Sequence, residues 1–220
     1  MSHVSLRLRK GDEVKYLSHR DLIRAFELAL RRARIAVVYS AGFNPRPRMS
    51  FGSAIGVGVT SDDERIVLEL LSPDDPSDIM ERLNSRLPKG LEVLEAEAVP
   101  DGVRRKVLGL NTSEFQITCD GECDAQAVGK AIEELLASSE VRVVRVRGEG
   151  ETKEVDIRPY VLSADTAECG GCVVINVCLG FGSSGGAGPR DFVLALRKLM
   201  SNLGVRKIHR LRQFCAGNQS

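Results

Sequence analysis

The sequence predicts an α+β protein of two tandem ferredoxin-like (β-α-β-β-α-β) domains, spanning 1–100 and 113–220 with a linker over 101–112. Three observations predict it. Alternating and helical periodicities follow one another in that order in the first half, and the same order of elements returns in the second half. The chain of 220 residues is also long enough for two domains of about 100 residues each.

Residues 4–9 alternate Val4, Leu6, Leu8 with Ser5, Arg7, Arg9, as a half-buried strand does. After a turn at Gly11-Asp12, Ser18 and Asp21 form the start signal of a helix running to Arg34, whose apolar stripe is Leu22, Ala25, Phe26, Ala29 and Ala33. Ile35–Tyr39 is β-branched and reads as a strand. A loop rich in Pro and Arg, Ser40–Ser50, precedes two strands, Phe51–Thr60 and Glu64–Leu71, which Ser61-Asp62-Asp63 joins as a turn. A helix over Pro76–Leu87 and a strand over Leu91–Val99 complete the first domain. In the second, strands are expected over Glu114–Cys119, Val141–Val146, Val173–Leu179 and Val205–Leu211, with a shorter edge segment at Glu154–Tyr160. Helices are expected over Asp124–Ala137 and Pro189–Met200, the latter with Pro in its first turn.

Composition is that of an ordinary globular protein, 43 % hydrophobic and 28 % charged. The longest apolar runs fall far short of the ~18 residues of a membrane span, and Met1–Arg7 lacks a signal peptide's apolar stretch, so the expected location is cytoplasmic with no membrane partner. A net charge of +1 conceals an asymmetry: residues 1–50 hold 11 basic and 4 acidic side chains, residues 51–100 hold 4 and 11. Clustered positive charge points to a polyanionic partner, although blocks of opposite sign can also face each other and cancel.

The densest basic segment is Tyr16–Thr60. Arg20, Arg24, Glu27, Arg31 and Arg34 recur at i+3/i+4 steps, and one acid does not neutralise four arginines. Arg32 adjoins the stripe. In the following loop two prolines hold Arg46 and Arg48 extended, while Gly42 and Asn44 suit tight turning. Arginines on a backbone already fixed lose less entropy on clamping a phosphate or carboxylate. The expected anion-binding set is therefore Arg20, Arg24, Arg31, Arg32, Asn44, Arg46 and Arg48.

Tyr16-Leu-Ser-His-Arg-Asp21, Arg24, Arg31-Arg32-Ala33 and Tyr39-Ser-Ala-Gly-Phe-Asn-Pro-Arg-Pro-Arg48 strongly resemble the bacterial radical-SAM-linked protein family. The resemblance continues through Ser50-Phe-Gly and Gly56-Val-Gly58 to Glu64, and more weakly through Glu154–Pro159 to the C-terminus. That family has no assigned activity, and its members occur alone or as C-terminal extensions of radical SAM proteins with a cobalamin-type domain. The resemblance implies a radical SAM protein as partner. The family's loop usually reads Asn-Pro-His-Pro, and Arg46 stands here in the His place. An always-protonated guanidinium suits binding and does not replace a catalytic His.

His19, at the start of the first helix, is the candidate catalytic residue, and with Tyr16 or Tyr39 it could serve metal-independent RNA cleavage. The run Gly180-Phe-Gly-Ser-Ser-Gly185 matches G-x-G-x-x-G, but Gly186-Ala-Gly-Pro189 separates it from the helix and no acid follows Asp191. A dinucleotide site is therefore rejected in favour of a loop. Cys119, Cys123, Cys169 and Cys172 could form a four-thiolate zinc site with Gly170-Gly171 as its knuckle, against the reading favoured here of free thiols and no cofactor. The C-x3-C-x2-C signature of a radical SAM cluster is absent from the chain. Three functions remain open: an RNA or other polyanion recognition module acting with a radical SAM enzyme, a ribonuclease using His19, and a protein–protein adaptor.

Overall fold

A computed structural model describes residues 2–100, 109–120, 123–147, 150–182 and 185–216, so residues 101–108 of the expected linker lie outside the described residues. The fold is mixed α/β and sheet-dominated, with four α-helices among the described residues. The chain divides into two compact units, Met1–Leu110 and Asn111–Ser220.

The first unit is β1 (Ser2–Lys10), α1 (His19–Arg32), β2 (Met49–Phe51), β3 (Thr60–Leu70), α2 (Pro76–Asn84) and β4 (Leu91–Val99). Its strands lie in the order β2-β3-β1-β4, each neighbouring pair antiparallel. Period-two patterning sends Val4, Leu6, Leu8, Ile66, Leu68, Leu70, Leu91 and Val93 into one core with Leu22, Phe26, Ala29, Leu30, Ile79 and Leu83 from the two helices. The start of α1 is fixed reciprocally: the Asp21 amide donates to Ser18 Oγ at 3.2 Å, and the Ser18 amide donates to Asp21 Oδ2 at 3.2 Å.

The helix ends two residues earlier than expected, in a Schellman motif. The Arg34 amide bonds the Arg31 carbonyl at 3.2 Å and the Ile35 amide bonds the Leu30 carbonyl at 3.2 Å. Arg34 takes the left-handed position, φ 54°, that glycine usually fills there.

Arginines on alternate positions of β1 meet the acids of β3 and β4. Arg9 bonds Asp62 and Glu92, both at 2.9 Å, and Arg7 pairs with Glu95. Part of the charge asymmetry between the two sequence blocks thus cancels across the sheet. Each such exposed pair contributes at most about 1 kcal/mol.

Three further expectations are corrected in this unit. Ile35–Tyr39 is no strand; it makes isolated bridges only, Val37 with Leu70 and Tyr39 with Pro47. The Glu69 carbonyl accepts from the Val38 amide at 2.8 Å while the Glu69 amide donates to the Arg48 carbonyl at 3.1 Å. Two segments share the end of β3, and neither extends a full ladder there. Ser61-Asp62-Asp63 is not a turn but lies inside the continuous strand Thr60–Leu70, where Asp62 pairs with Arg9 of β1 and Asp63 with Arg65. Of the strand expected over Phe51–Thr60 only its two end residues lie in strands, and residues 52–59 form the connection instead. Finally, α2 stops at Asn84, three residues short of the expected Leu87, with Ser85 as its cap.

The second unit is β5 (Thr112–Cys119), α3 (Ala125–Ala137), β6 (Arg142–Arg147), β7 (Glu151–Asp156), β8 (Val161–Cys169), β9 (Cys172–Gly182), β10 (Gly185–Gly186), α4 (Pro189–Leu199) and β11 (Val205–Phe214). Its main strands run in the order β8-β9-β5-β11, again antiparallel, with β6 and β7 as a separate hairpin. Arg145 explains part of the Val/Arg alternation of β6: its guanidinium bonds both Asp191 carboxylate oxygens, at 2.8 and 3.1 Å, and ties the hairpin to α4.

Here β8 was not expected at all, and Glu154–Tyr160 resolves into β7 and a short 3-10 turn, Arg158–Tyr160. The glycine run is no open loop over its described residues. Gly180 and Gly182 lie in β9, and Gly185-Gly186 pairs back onto Phe181-Gly182. A Cβ at Gly186 would meet the Phe181 backbone at 2.8 Å, so that approach requires glycine. The Asp191 carboxylate accepts from the Gly188 amide at 2.7 Å, which places an acid where an anion at the start of α4 would sit.

Phe26 is fully buried in the first unit's core, so Phe26→Ala should destabilise the protein by about 3–5 kcal/mol, measured as a lowered urea midpoint. The hydroxyl and amide of Ser18 hold the Asp21 carboxyl below the usual carboxylate range, and the Arg7 guanidinium does so for Glu95. A depressed folded-state pKa contributes stability above the unfolded value and loses it as pH falls through the folded one. For these two acids the urea midpoint should be level from pH 7 to 5 and decline below about pH 4, and Ser18→Ala should weaken that decline.

Candidate functional site

The first unit carries a cleft between α1 and the loop that follows it. The loop is pinched at its base: the Arg48 amide donates to the Val38 carbonyl at 2.7 Å, and the Ser40 amide to the Arg46 carbonyl at 2.9 Å. Ser40 Oγ accepts from the Arg46 amide at 3.0 Å, and Gly42 supplies a φ of 118° that the reversal requires. With Pro45 and Pro47 restricting φ on either side, the backbone of Arg46 has little freedom left.

Glu27, Arg31, Tyr39, Asn44, Pro45, Arg46 and Pro47 line a cavity of about 390 Å³. A second depression of about 240 Å³ is lined by Arg20, Ile23, Arg24 and Arg46. Arg46 belongs to both, so the two form one basic surface along α1. Its acids engage the arginines only weakly. Glu27 Oε1 lies 4.0 Å from Arg46 Nη1, the guanidinium being 70 % exposed, and Asp21 lies 3.8 Å from Arg24. Such solvated pairs are worth at most about 1 kcal/mol and yield readily to a phosphate that offers bidentate hydrogen bonds.

Of the expected anion-binding residues, Arg20, Arg24, Arg31, Asn44 and Arg46 are brought together. Arg48 turns to Glu69, 3.5 Å away and nearly buried, and lines neither depression. Arg32 lines a different one, at the C-terminal ends of α1 and α2, together with Arg34, which leaves the expected stripe because its backbone has left the helix. His19 packs edge-on against Phe51, ring centroids 5.2 Å apart at 88°. No hydrogen bond joins it to Tyr16 or Tyr39 among the described residues, and its visible role is packing.

Phe43 escaped the sequence reading as a site residue, and Tyr39 entered it only as a partner for His19. Tyr39 forms a wall of the larger cavity, and Phe43 stands fully exposed, at 105 % of its reference area, near the tip of the loop. The available signal was an aromatic between Gly42 and Asn44-Pro45 in an otherwise polar loop.

The thiols build no metal centre among the described residues, and none of the six cysteines is in a disulfide. Burial pushes the Cys119 thiol up to about 11, with Cys123, Asp120 and Cys172 adding to the effect, which keeps it protonated and unreactive as a nucleophile near neutral pH. Gly170-Gly171, expected as a metal knuckle, is the two-residue turn of the β8–β9 hairpin with positive φ at both positions, and Cys169 faces Cys172 across it. Thiol titration of the native protein at pH 8 should therefore modify exposed Cys169 rapidly and leave Cys119 unmodified until the protein unfolds.

A family model described as "Uncharacterized protein conserved in bacteria (DUF2344)" matches residues 3–189. No curated protein matches the chain. Among solved structures, a Cbf5-Nop10-Gar1 complex is similar at 11 % identity and TM-score 0.53, over 96 % of this chain and 48 % of that one. An archaeal box H/ACA sRNP Nop10-Cbf5 complex is similar at 11 % identity and TM-score 0.48, over 94 % and 46 %. The chain spans about half the length of the chains it matches in these two structures. At this identity the first likeness is one of fold.

Proposed function

The chain belongs to this family of uncharacterized proteins conserved in bacteria, and we propose that it is a polyanion-recognition module whose ligand is RNA. The observation that carries the reading is the convergence of Arg20, Arg24, Arg31 and Arg46 on one surface beside a loop of restricted backbone. Four guanidinium groups face two carboxylates, Asp21 and Glu27, that pair with them only at 3.8 and 4.0 Å, so the surface keeps a positive excess that a phosphate backbone complements. Tyr39 and Phe43 add faces on which an unpaired base can stack. Asn44 offers an amide able to donate and accept along a base edge.

The module acts with a radical SAM enzyme in this reading, on the strength of the motif over Tyr16–Arg48, since the chain lacks that chemistry's own cysteine signature. Each unit is read as ferredoxin-like. Supporting this are a middle strand order β3-β1 flanked by β2 and β4 in the first unit, its counterpart β8-β9-β5-β11 in the second, and the insertion of the β6–β7 hairpin without loss of that order. The adaptor reading is kept for one observation: a fully exposed phenylalanine at a loop tip is also the form of a protein-docking anchor.

The test is binding of bulk cellular RNA across a salt series, wild type beside Arg20→Glu/Arg46→Glu. Micromolar wild-type binding, weakened at least tenfold in the variant with a salt slope reduced by about 0.7–0.9 for each lost phosphate contact, is expected. Unchanged affinity and slope would remove the RNA reading, and absence of binding at low salt would leave the adaptor in its place.

A further inference from the structure

We propose a second, separate oxyanion site where the C-terminal ends of α1 and α2 meet, suited to a pyrophosphate-like or backbone phosphate group. A depression of about 310 Å³ there is lined by Arg32, Ala33, Arg34, Arg82, Ser85 and Arg86. It shares no residue with the cleft of the proposed function and does not rest on that reading.

The four arginines divide into a scaffold and three free groups. Arg82 is the scaffold. It pairs with Asp74 and, at 2.7 Å, with Asp78, and its Nη1 donates to the carbonyls of Ala33 at 3.4 Å and Arg34 at 3.5 Å. These bonds clamp α2 to the end of α1. The buried Nε of Arg82 still has no acceptor among the described residues. Arg32, Arg34 and Arg86 are exposed, and no acid or carbonyl engages their guanidinium groups among the described residues.

Two helix C-termini attract cations, and that alone could explain one or two arginines. It does not explain Arg34. Its φ of 54° puts it at the left-handed position of the Schellman motif, where glycine is unstrained and any other residue is not. Its side chain is exposed and makes no ion pair or hydrogen bond among the described residues that offsets the strain. It does place a third unpaired guanidinium beside two others, an arrangement of mutual repulsion that a multiply charged oxyanion relieves through bidentate hydrogen bonds.

The test uses the full chain carrying Arg20→Glu/Arg46→Glu, so that the other cleft is disabled and the two readings fail separately. Inorganic pyrophosphate is titrated by calorimetry, before and after adding Arg34→Gly or, independently, Arg86→Ala. The expected result is saturable binding that weakens at least tenfold with either change, while Arg34→Gly leaves the melting temperature unchanged or raised. A purely structural Arg34 would instead lower the melting temperature and leave binding intact. Absence of saturable binding in the Arg20→Glu/Arg46→Glu protein, or binding indifferent to both further changes, would overturn the site. Displacement of bound pyrophosphate by a short single-stranded RNA would support the site and assign it to nucleic-acid phosphates. Displacement by adenosine triphosphate and not by RNA would support it as a site for a small polyphosphate.

Discussion

The end of β3 holds more of the first unit in place than any other backbone segment, because three stretches of chain depend on its hydrogen bonds. On one edge it pairs with β1 along nearly its whole length. Its other edge serves β2 at Ile66–Leu68 and then, from Glu69 onward, the segment leaving α1. The loop between those two segments therefore leaves and returns at adjacent points, with the Arg48–Val38 bond closing its base. That constraint turns the nine residues between Val38 and Arg48, which alone would sample many conformations, into a wall standing against α1. Remove the shared edge and Arg46 loses its fixed distance from Arg20, Arg24 and Arg31.

Charge in this unit follows the same economy of position. Arginines whose strand register puts them opposite acids, Arg7 and Arg9, are taken up by Glu95, Asp62 and Glu92. Arg48 is taken up by Glu69. Those left over lie on α1, on the loop, and past the ends of the helices, where no strand of the unit brings an acid across from them. The basic surface is thus the remainder after pairing, which is why a count of charges along the sequence overstated it and why its location follows from strand register.

Much of this was readable beforehand, for reasons visible in single residues. The start of α1 follows from Ser18 and Asp21, a purely local reciprocity, and Leu91–Val99 forms the expected strand because its alternation is uninterrupted. Arg20, Arg24 and Arg31 were expected on one face because helical spacing alone decides it, and Arg46 joined them through proline and glycine chemistry that is also local. What failed was non-local. Ile35–Tyr39 has the composition of a strand, but β2 already holds the edge of β3 up to Leu68 and only its last residues are left to pair with. Ser61-Asp62-Asp63 resembles a turn until the arginines of β1 are placed beside it. Val161–Cys169 became a strand because β9 offered it an edge, although exposed polar residues dominate its pattern. The departure of Arg34 from the basic stripe rests on its own backbone angle, after Ala33, whereas Arg32 is still helical and simply lines the other depression.

The pinched base of the loop over 39–47 also bears on how such a protein can change over time. Because hydrogen bonds at the base close the loop onto the sheet, the core beneath does not register what lies between the two feet. Lengthening such a segment costs little, about 0.6 kcal/mol for each doubling. The scaffold can therefore accept new residues at the tip, around Phe43 and Asn44, without refolding. Ligand preference and fold stability are in this sense separately inherited properties of the same chain, one residing in the tip and the other in the strand edge that anchors it.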